Sequence, residues 1–183
     1  MRRPPVLIFA VLLAPITALR AQETASDTLL TVNHYLDWEQ VADPQVSPDG
    51  LQILYTRRWV NQVEDRWDAG LWIMNADGSR NRFLVKGSSA RWSPDGSRIA
   101  YFADGEPKGT QAFVRWMDAE GATSQVTHVS ETPANLTWAP DGRHLAFSSR
   151  RGSTTQIYSM LADGTEIKPL TTQGQNMMPV WSK

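Results

Sequence analysis

Short alternating runs of apolar and polar residues recur along this chain, and they align with one another. Gln52-Ile53-Leu54-Tyr55, Arg98-Ile99-Ala100-Tyr101 and His144-Leu145-Ala146-Phe147 each place a polar residue, an aliphatic one, Leu or Ala, and an aromatic ring in order. Period-two patterning over so few residues predicts strands. A second set, Leu71-Trp72-Ile73-Met74, Val114-Arg115-Trp116-Met117 and Ile157-Tyr158-Ser159-Met160, predicts another strand with its methionines in one column. A weaker third set is Phe83-Leu84-Val85, Gln125-Val126-Thr127 and Pro169-Leu170-Thr171. Ahead of them, Thr31 to Val41 has apolar residues at 35, 36, 38 and 41. That spacing predicts a short helix, capped by Thr31 and ended by Asp43-Pro44.

Two turn phrases punctuate these runs. Pro44-Gln45-Val46-Ser47-Pro48-Asp49-Gly50 returns as Ala90-Arg91-Trp92-Ser93-Pro94-Asp95-Gly96 and Leu136-Thr137-Trp138-Ala139-Pro140-Asp141-Gly142, and a fourth copy begins at Pro179-Val180-Trp181-Ser182. The Pro-Asp-Gly units stand 46 residues apart twice, while Ala76-Asp77-Gly78, Ala119-Glu120-Gly121 and Ala162-Asp163-Gly164 stand 43 apart twice. Proline presets the first turn residue and glycine accepts a positive φ, so Pro-Asp-Gly between apolar runs predicts a hairpin turn. Four short strands per period of this length predict an all-β fold, a β-propeller of four-stranded blades. The expected organisation is a signal peptide over 1–21, a linker and short helix over 22–43, and a partial propeller over 44–183. Its blades are expected at about 44–86, 90–129 and 136–173, with the first strand of the next at 178–183. Propellers close with about four to eight blades. Three blades and one strand therefore predict a propeller truncated within this sequence and continuing downstream.

Composition narrows the function. Arg2-Arg3, the apolar stretch from Val6 to Leu19 and Arg20-Ala21-Gln22 have the order of a secretory signal cleaved after Ala21, with a retained anchor as the alternative. Loss of Arg2, Arg3 and Arg20 leaves 15 basic against 19 acidic residues. With the basic pairs Arg57-Arg58 and Arg150-Arg151 far apart among acids, that balance argues against a nucleic-acid partner. The absence of cysteine excludes disulfides, thiolate metal sites and thiol nucleophiles. No Gly-x-Ser-x-Gly elbow or phosphate loop is present, and each Asp-Gly turn offers one carboxylate, too few for an EF-hand calcium loop. His34, His128 and His144 read as surface residues, and Trp92, Trp138, Trp181 and the methionine column as core. No residue is assigned a catalytic, cofactor-binding or metal-binding role. The polar inserts Asn61 to Asp68 and Asp104 to Gly109, at the same place in successive blades, are the segments where recognition is expected.

The phrase from Trp92 to Tyr101 resembles the repeat of TolB-like propellers, which also form the N-terminal propeller of prolyl oligopeptidase family serine peptidases. The run into Asp43-Pro44-Gln45-Val46-Ser47-Pro48-Asp49-Gly50, Tyr55-Thr56-Arg57-Arg58-Trp59-Val60-Asn61, and Phe113 to Gly121 are similar to exported bacterial peptidases of the dipeptidyl-peptidase and acylaminoacyl-peptidase branch. The resemblance covers roughly residues 31–147. It implies a propeller that gates and orients peptide substrates for a C-terminal α/β-hydrolase domain absent from this chain. The leader itself predicts a periplasmic or secreted protein without a membrane partner after signal cleavage, and an oligomer is one option for the full-length protein. None of the family's Ser, Asp and His can be carried onto these residues, and Glu64-Asp65 are not assigned to a substrate amine. The alternative is a non-enzymatic periplasmic binding propeller of the TolB type, against which only about 22 residues separate Ala21 from Pro44.

Overall fold

The computed structural model describes residues 32–182. The expected leader, its cleavage point and the Thr31 cap lie outside them. One helical turn, α1 (Val32–Leu36), precedes twelve strands in three antiparallel four-stranded sheets, each a meander of consecutive strands. Blade one holds β1 (Glu39–Val46), β2 (Gln52–Asn61), β3 (Arg66–Asn75) and β4 (Arg82–Lys86). Blade two holds β5 (Ser88–Trp92), β6 (Arg98–Gly105), β7 (Gly109–Trp116) and β8 (Thr123–Gln125). Blade three holds β9 (Pro133–Trp138), β10 (His144–Arg151), β11 (Thr154–Leu161) and β12 (Lys168–Pro169). This is the architecture the period predicts, and among the described residues the blades do not close a ring.

One expectation is corrected. The helical spacing is realised only to Leu36. From Glu39 the chain is a strand, because Glu39, Gln40, Val41 and Ala42 pair with Trp59, Arg58, Arg57 and Thr56 of β2. A helix of one turn has too few hydrogen bonds to outweigh its nucleation cost, so the ladder prevails. Asp43-Pro44 marks a bulge inside β1, with Asp43 at φ 48° and Pro44 contributing no N–H. Residues 178–182, expected to begin a further blade, form no strand. A first strand draws its ladder from the second strand of its own blade, and the described residues contain none for it.

At one end of each blade the two turn phrases meet. Gly50, Gly96 and Gly142 donate to the carbonyls of Ser47, Ser93 and Ala139 at 2.9, 2.9 and 3.0 Å. Their φ angles of 75°, 71° and 64° are ones that glycine adopts without strain. Ala76 and Ala162 of the second phrase, and Met117 two residues before it in blade two, donate their N–H groups to the carbonyls of Leu51, Arg143 and Ser97, each the residue that follows the first phrase. The phrases keep step along the sequence because the turns that carry them are bonded to each other in every blade. In five of these turns an Asp Oδ1 accepts the N–H two residues on, as Asp49 does from Leu51 and Asp141 from Arg143. Glu120 has replaced Asp in the sixth, and there Asp118 Oδ1 accepts from Gly121 instead, at 2.7 Å.

The core lies in the seams between blades. In β6, Ile99 and Tyr101 pack with Leu54, Leu71 and Ile73 of blade one, whereas Ala100 and Phe102 pack with Trp138, Leu145, Phe147 and Tyr158 of blade three. Strand alternation sends neighbouring residues to opposite faces, so a sandwiched blade buries both sets and reads as a continuous run. The aliphatic and aromatic columns thus face the preceding blade, and the Leu or Ala column faces the next. Trp138, 7% exposed, crosses its seam to donate Nε1–H to the Arg91 carbonyl at 3.0 Å. Met160 is buried in that seam and Trp92 is half-buried in the other, whereas Trp181 is half-buried outside any sheet. On blade one the same face shows an apolar groove lined by Val41, Pro44, Ile53, Tyr55 and Met74.

Burial of the seam sets the cost of emptying it. Trp138→Ala in the full-length protein is expected to destabilise by about 3–5 kcal/mol, and Trp138→Phe, which keeps a ring but loses the bond to Arg91, by about 1 kcal/mol. Chemical denaturation checks both, and a Trp138→Ala loss under 1 kcal/mol would contradict the seam as the core. The turn carboxylates give an acid limb. Donation from the Ser93 and Ser97 hydroxyls lowers Asp95 to about 2, and the Arg143 N–H followed by the His144 ring lowers Asp141 to about 2. Asp49, Asp77 and Asp163 are lowered too, chiefly by the hydroxyls of Ser47, Ser79 and Thr165. A carboxyl lowered on folding contributes stability above its unfolded pKa near 3.8 and loses it as pH falls through the folded value. Stability should therefore fall between pH about 4 and about 2, and Asp95→Asn with Asp141→Asn should flatten that slope in a pH series of melting curves.

Candidate functional site

The opposite end carries the β2–β3, β6–β7 and β10–β11 hairpins and the connectors between blades. Blade one's polar insert is more built than the sequence suggests: β2 and β3 run through it, and Asn61 pairs directly with Arg66. Asn61 Oδ1 accepts from the N–H groups of Val63 and Glu64, and its Nδ2 donates to Asp68 at 2.9 Å. Arg66 is held between Glu64 at 2.5 Å and Asp68 at 3.3 Å, so the Glu64 carboxylate is already engaged. In blade two Gly105 pairs with Gly109 around a cis Glu106–Pro107 bond, and Gln125 bonds both the N–H and the carbonyl of Glu106. In blade three Arg151 pairs with Thr154 across a two-residue turn, with Gly152 at φ 70°.

Each seam opens into a crevice at this end. The first, about 320 Å³, brings Arg66 and Asp68 of blade one, Lys86 at the end of β4, and Asp104 of blade two around Trp67 and Phe102. The second, about 400 Å³, lies between the His128-to-Glu131 connector and Ser149 to Gly152 of blade three. The two occupy equivalent positions, each framed by a connector and the end of a second strand. Their charges differ: the first is balanced, and the second has two guanidinium groups against one carboxylate.

Beneath the connectors lies a polar clamp that the sequence reading did not identify. Gln111 Oε1 accepts from the Thr127 hydroxyl at 2.9 Å and from the Val129 N–H at 3.1 Å, and its Nε2 donates to the Val129 carbonyl at 2.8 Å. Thr127 in turn accepts from the Ala112 N–H. Blade three repeats it: Gln156 Oε1 accepts from Thr171 and from Asn176, and Nε2 donates to the Gly174 carbonyl. Gln111 and Gln156 stand 45 residues apart and Thr127 and Thr171 stand 44 apart, a recurrence visible in the sequence that apolar columns do not score. Blade one has Gly70 at the glutamine position, where a Cβ would lie 2.9 Å from the Phe83 ring.

The histidines are not brought together. His34 is on α1, His128 lies in the second crevice, and His144 caps its own turn through Asp141 at 2.6 Å. His128 and Ser149 share a crevice, yet the Ser149 hydroxyl has no hydrogen-bond partner, so no activated nucleophile forms there. Among the described residues no group of three or more His, Asp or Glu is placed to hold a metal. No helix among them is long and apolar enough to cross a membrane.

The profile of the TolB beta propeller domain matches residues 42–183. The chain is 28% identical over 134 residues to the uncharacterized peptidase YuxL of Bacillus subtilis, covering 70% of this chain and 20% of that protein. It is 26% identical over 132 residues to dipeptidyl-peptidase 5 of Porphyromonas endodontalis, covering 70% and 19%. It thus spans about a fifth of the length of the curated relatives it matches. Among solved structures, the acylaminoacyl peptidase of Pyrococcus horikoshii superposes with a TM-score of 0.61 at 18% identity, over 73% of this chain and 26% of that one. TolB from Acinetobacter baumannii superposes with 0.60 at 18%, over 75% and 33%. At these identities the superpositions establish the fold.

The clamp makes a quantitative expectation. Gln111→Leu and Thr127→Val each strand buried partners and should each cost about 1–3 kcal/mol. The double variant should cost less than their sum, because both remove one network. Urea denaturation of the four proteins measures the coupling, and strict additivity would show that the clamp is not a unit.

Proposed function

Because the chain belongs to the TolB beta-propeller family, we propose that it is the propeller of an exported serine exopeptidase of the dipeptidyl or acylaminoacyl type. In this reading it gates and orients peptide substrates for an α/β-hydrolase domain that lies outside these 183 residues. The observation that carries the proposal is the similarity, over 70% of this chain, to proteins named as a peptidase and a dipeptidyl-peptidase. The structure adds a physical rationale. One end is closed by stacked, hydrogen-bonded turns, and the other carries the extended hairpins and a charged crevice at each seam. A catalytic domain docked over the second end would admit only chains slender enough to pass the hairpins, and would meet side chains able to hold a substrate's polar ends. The basic, apolar and small-residue order of residues 1–21 supports export to the periplasm or beyond.

A second reading, a non-enzymatic binding propeller, is favoured by the TolB superposition, which matches the peptidase in TM-score to within 0.01. One experiment separates the two. The full-length protein is expected to hydrolyse dipeptidyl or acylaminoacyl chromogenic substrates and to be labelled covalently by a fluorophosphonate, with labelling lost when the serine of a Gly-x-Ser-x-Gly elbow is replaced by alanine. A full-length protein that neither labels nor hydrolyses, and that recovers a stable envelope protein in pull-downs, would overturn the peptidase reading in favour of the second.

A further inference from the structure

We propose that the crevice between blades one and two is a binding site for an aromatic side chain of a peptide, which stacks on the Trp67 indole. The first support is convergence. β2 and β3 pair without interruption from Gln52 opposite Asn75 to Asn61 opposite Arg66. The face that sends Leu71 into the seam therefore also sends Ala69 and Trp67 toward blade two. The ladder of β6 and β7 is equally unbroken, and the face that carries Ile99 and Tyr101 into the same seam carries Ala103 toward blade one. Trp67, Ala69 and Ala103 line one space of about 320 Å³, together with Gly87 of the connector.

The second support is the shape of that space. Trp67 keeps 42% of its surface exposed, whereas Trp138 in the next seam keeps 7%. Its neighbours in the crevice are small: Ala69 beside it on β3, Ala103 across the seam, and Gly87, where a Cβ would lie 2.6 Å from the Phe102 carbonyl oxygen. The guanidinium carbon of Arg58 lies 5.8 Å from the Trp67 ring centroid, and Arg58 does not line the crevice, so the cation steadies the indole from outside the space. A large ring among small groups, in a volume at the lower end of small-molecule sites, leaves a slot for one flat apolar group.

The third support is the balance of charge around it. Arg66 is held by Glu64 and Asp68, and Asp68 by Asn61, so these charges are satisfied within blade one. Lys86 and Asp104 add one charge of each sign. A rim without net charge selects no ion, which leaves the indole to choose the ligand. The fold itself does not require that indole. Trp72, Phe113 and Tyr158 stand opposite Tyr55, Tyr101 and Phe147 in the three blades, and at the same distance before them come Trp67, Lys108 and Ser153. Both readings of the function bring polypeptide chains to this end of the propeller, and the site does not depend on which of them holds.

The test uses the full-length protein treated beforehand with a fluorophosphonate, so that a catalytic serine, where one is present, is blocked. It is titrated with N-acetyl-tryptophanamide and separately with N-acetyl-leucinamide, by calorimetry and by ligand-observed NMR. Saturable binding of the tryptophan probe is expected, with the leucine probe weaker by about threefold or more, since stacking adds to the burial of area. Trp67→Ala should weaken the tryptophan probe by about tenfold or more, and Trp67→Phe should retain most of its binding. Ala103→Leu, which fills the slot, should abolish it. Trp38→Ala removes a comparably exposed indole, one stacked on Tyr35, and should change nothing. Circular dichroism confirms that each variant is folded. No saturable binding of the tryptophan probe, equal affinity for the two probes, or equal binding by the wild type and Trp67→Ala overturns the proposal. Covalent labelling by the fluorophosphonate reports on the peptidase reading separately, so each can fail without the other.

Discussion

The organisation of this protein depends on one constraint: a four-stranded blade is apolar on both faces and can be stable only between neighbours. Blade two meets it on both sides, with Ile99 and Tyr101 facing blade one and Ala100 and Phe102 facing blade three. The small side chains of Ala100 and Ala112 leave room for the larger Trp138, Phe147 and Tyr158 opposite them. What fixes a blade is therefore its place in the stack rather than its own hydrogen-bond ladder. The apolar groove on blade one follows from the same rule, since its Ile53, Tyr55 and Met74 are the residues that in the later blades meet a predecessor.

The two ends meet different demands. At the turn end, geometry leaves little room for variation: a Cβ on Gly96 would lie 3.4 Å from Pro48 Cδ, and one on Gly142 would lie 3.8 Å from Pro94 Cδ, so successive turns stack glycine on proline. The Arg98 guanidinium donates to the Gly142 carbonyl at 2.7 Å while lying over the Trp138 ring, tying blade two's second strand to blade three's turn. The hairpin end has no such stacking. There the lengths differ from blade to blade, and side chains rather than backbone turns set the surface.

Most of the fold was legible because a blade writes its requirements into columns. The aliphatic and aromatic columns sort onto the faces that alternation assigns, and the turns that carry the two phrases, aligned only by spacing, are bonded to each other in every blade. The methionine column holds only in blades one and three: Met74 and Met160 pair with Ile53 and Leu145, whereas Arg115 pairs with Ile99 and Met117 lies past the end of β7. The early part of the first strand was missed because Tyr35, Leu36, Trp38 and Val41 have helical spacing locally, and only pairing with β2 makes Glu39–Val46 extended. The Asn61-to-Asp68 insert looked unconstrained because polar residues carry no periodic signal, although Asn61 and Asp68 bond across the hairpin. Gln111 and Gln156 escaped for a similar reason: a buried polar clamp looks, in one sequence, like any surface amide. The candidate crevices were beyond sequence altogether, since the first combines residues from two blades and a connector, and the second sets a connector against the hairpin of blade three.

The crevices at successive seams share a position but not a chemistry, and this has a geometric consequence. Repetition sets the spacing between them, and the departures from repetition, Asp104 where blade three has Arg150 and Ala103 where it has Ser149, leave the first lined by balanced charge and the second by an excess of basic residues. An extended molecule laid across this end has two opposite headings, and they are not equal in energy. A scaffold that is nearly rotationally uniform can in this way impose a direction of travel on what it holds.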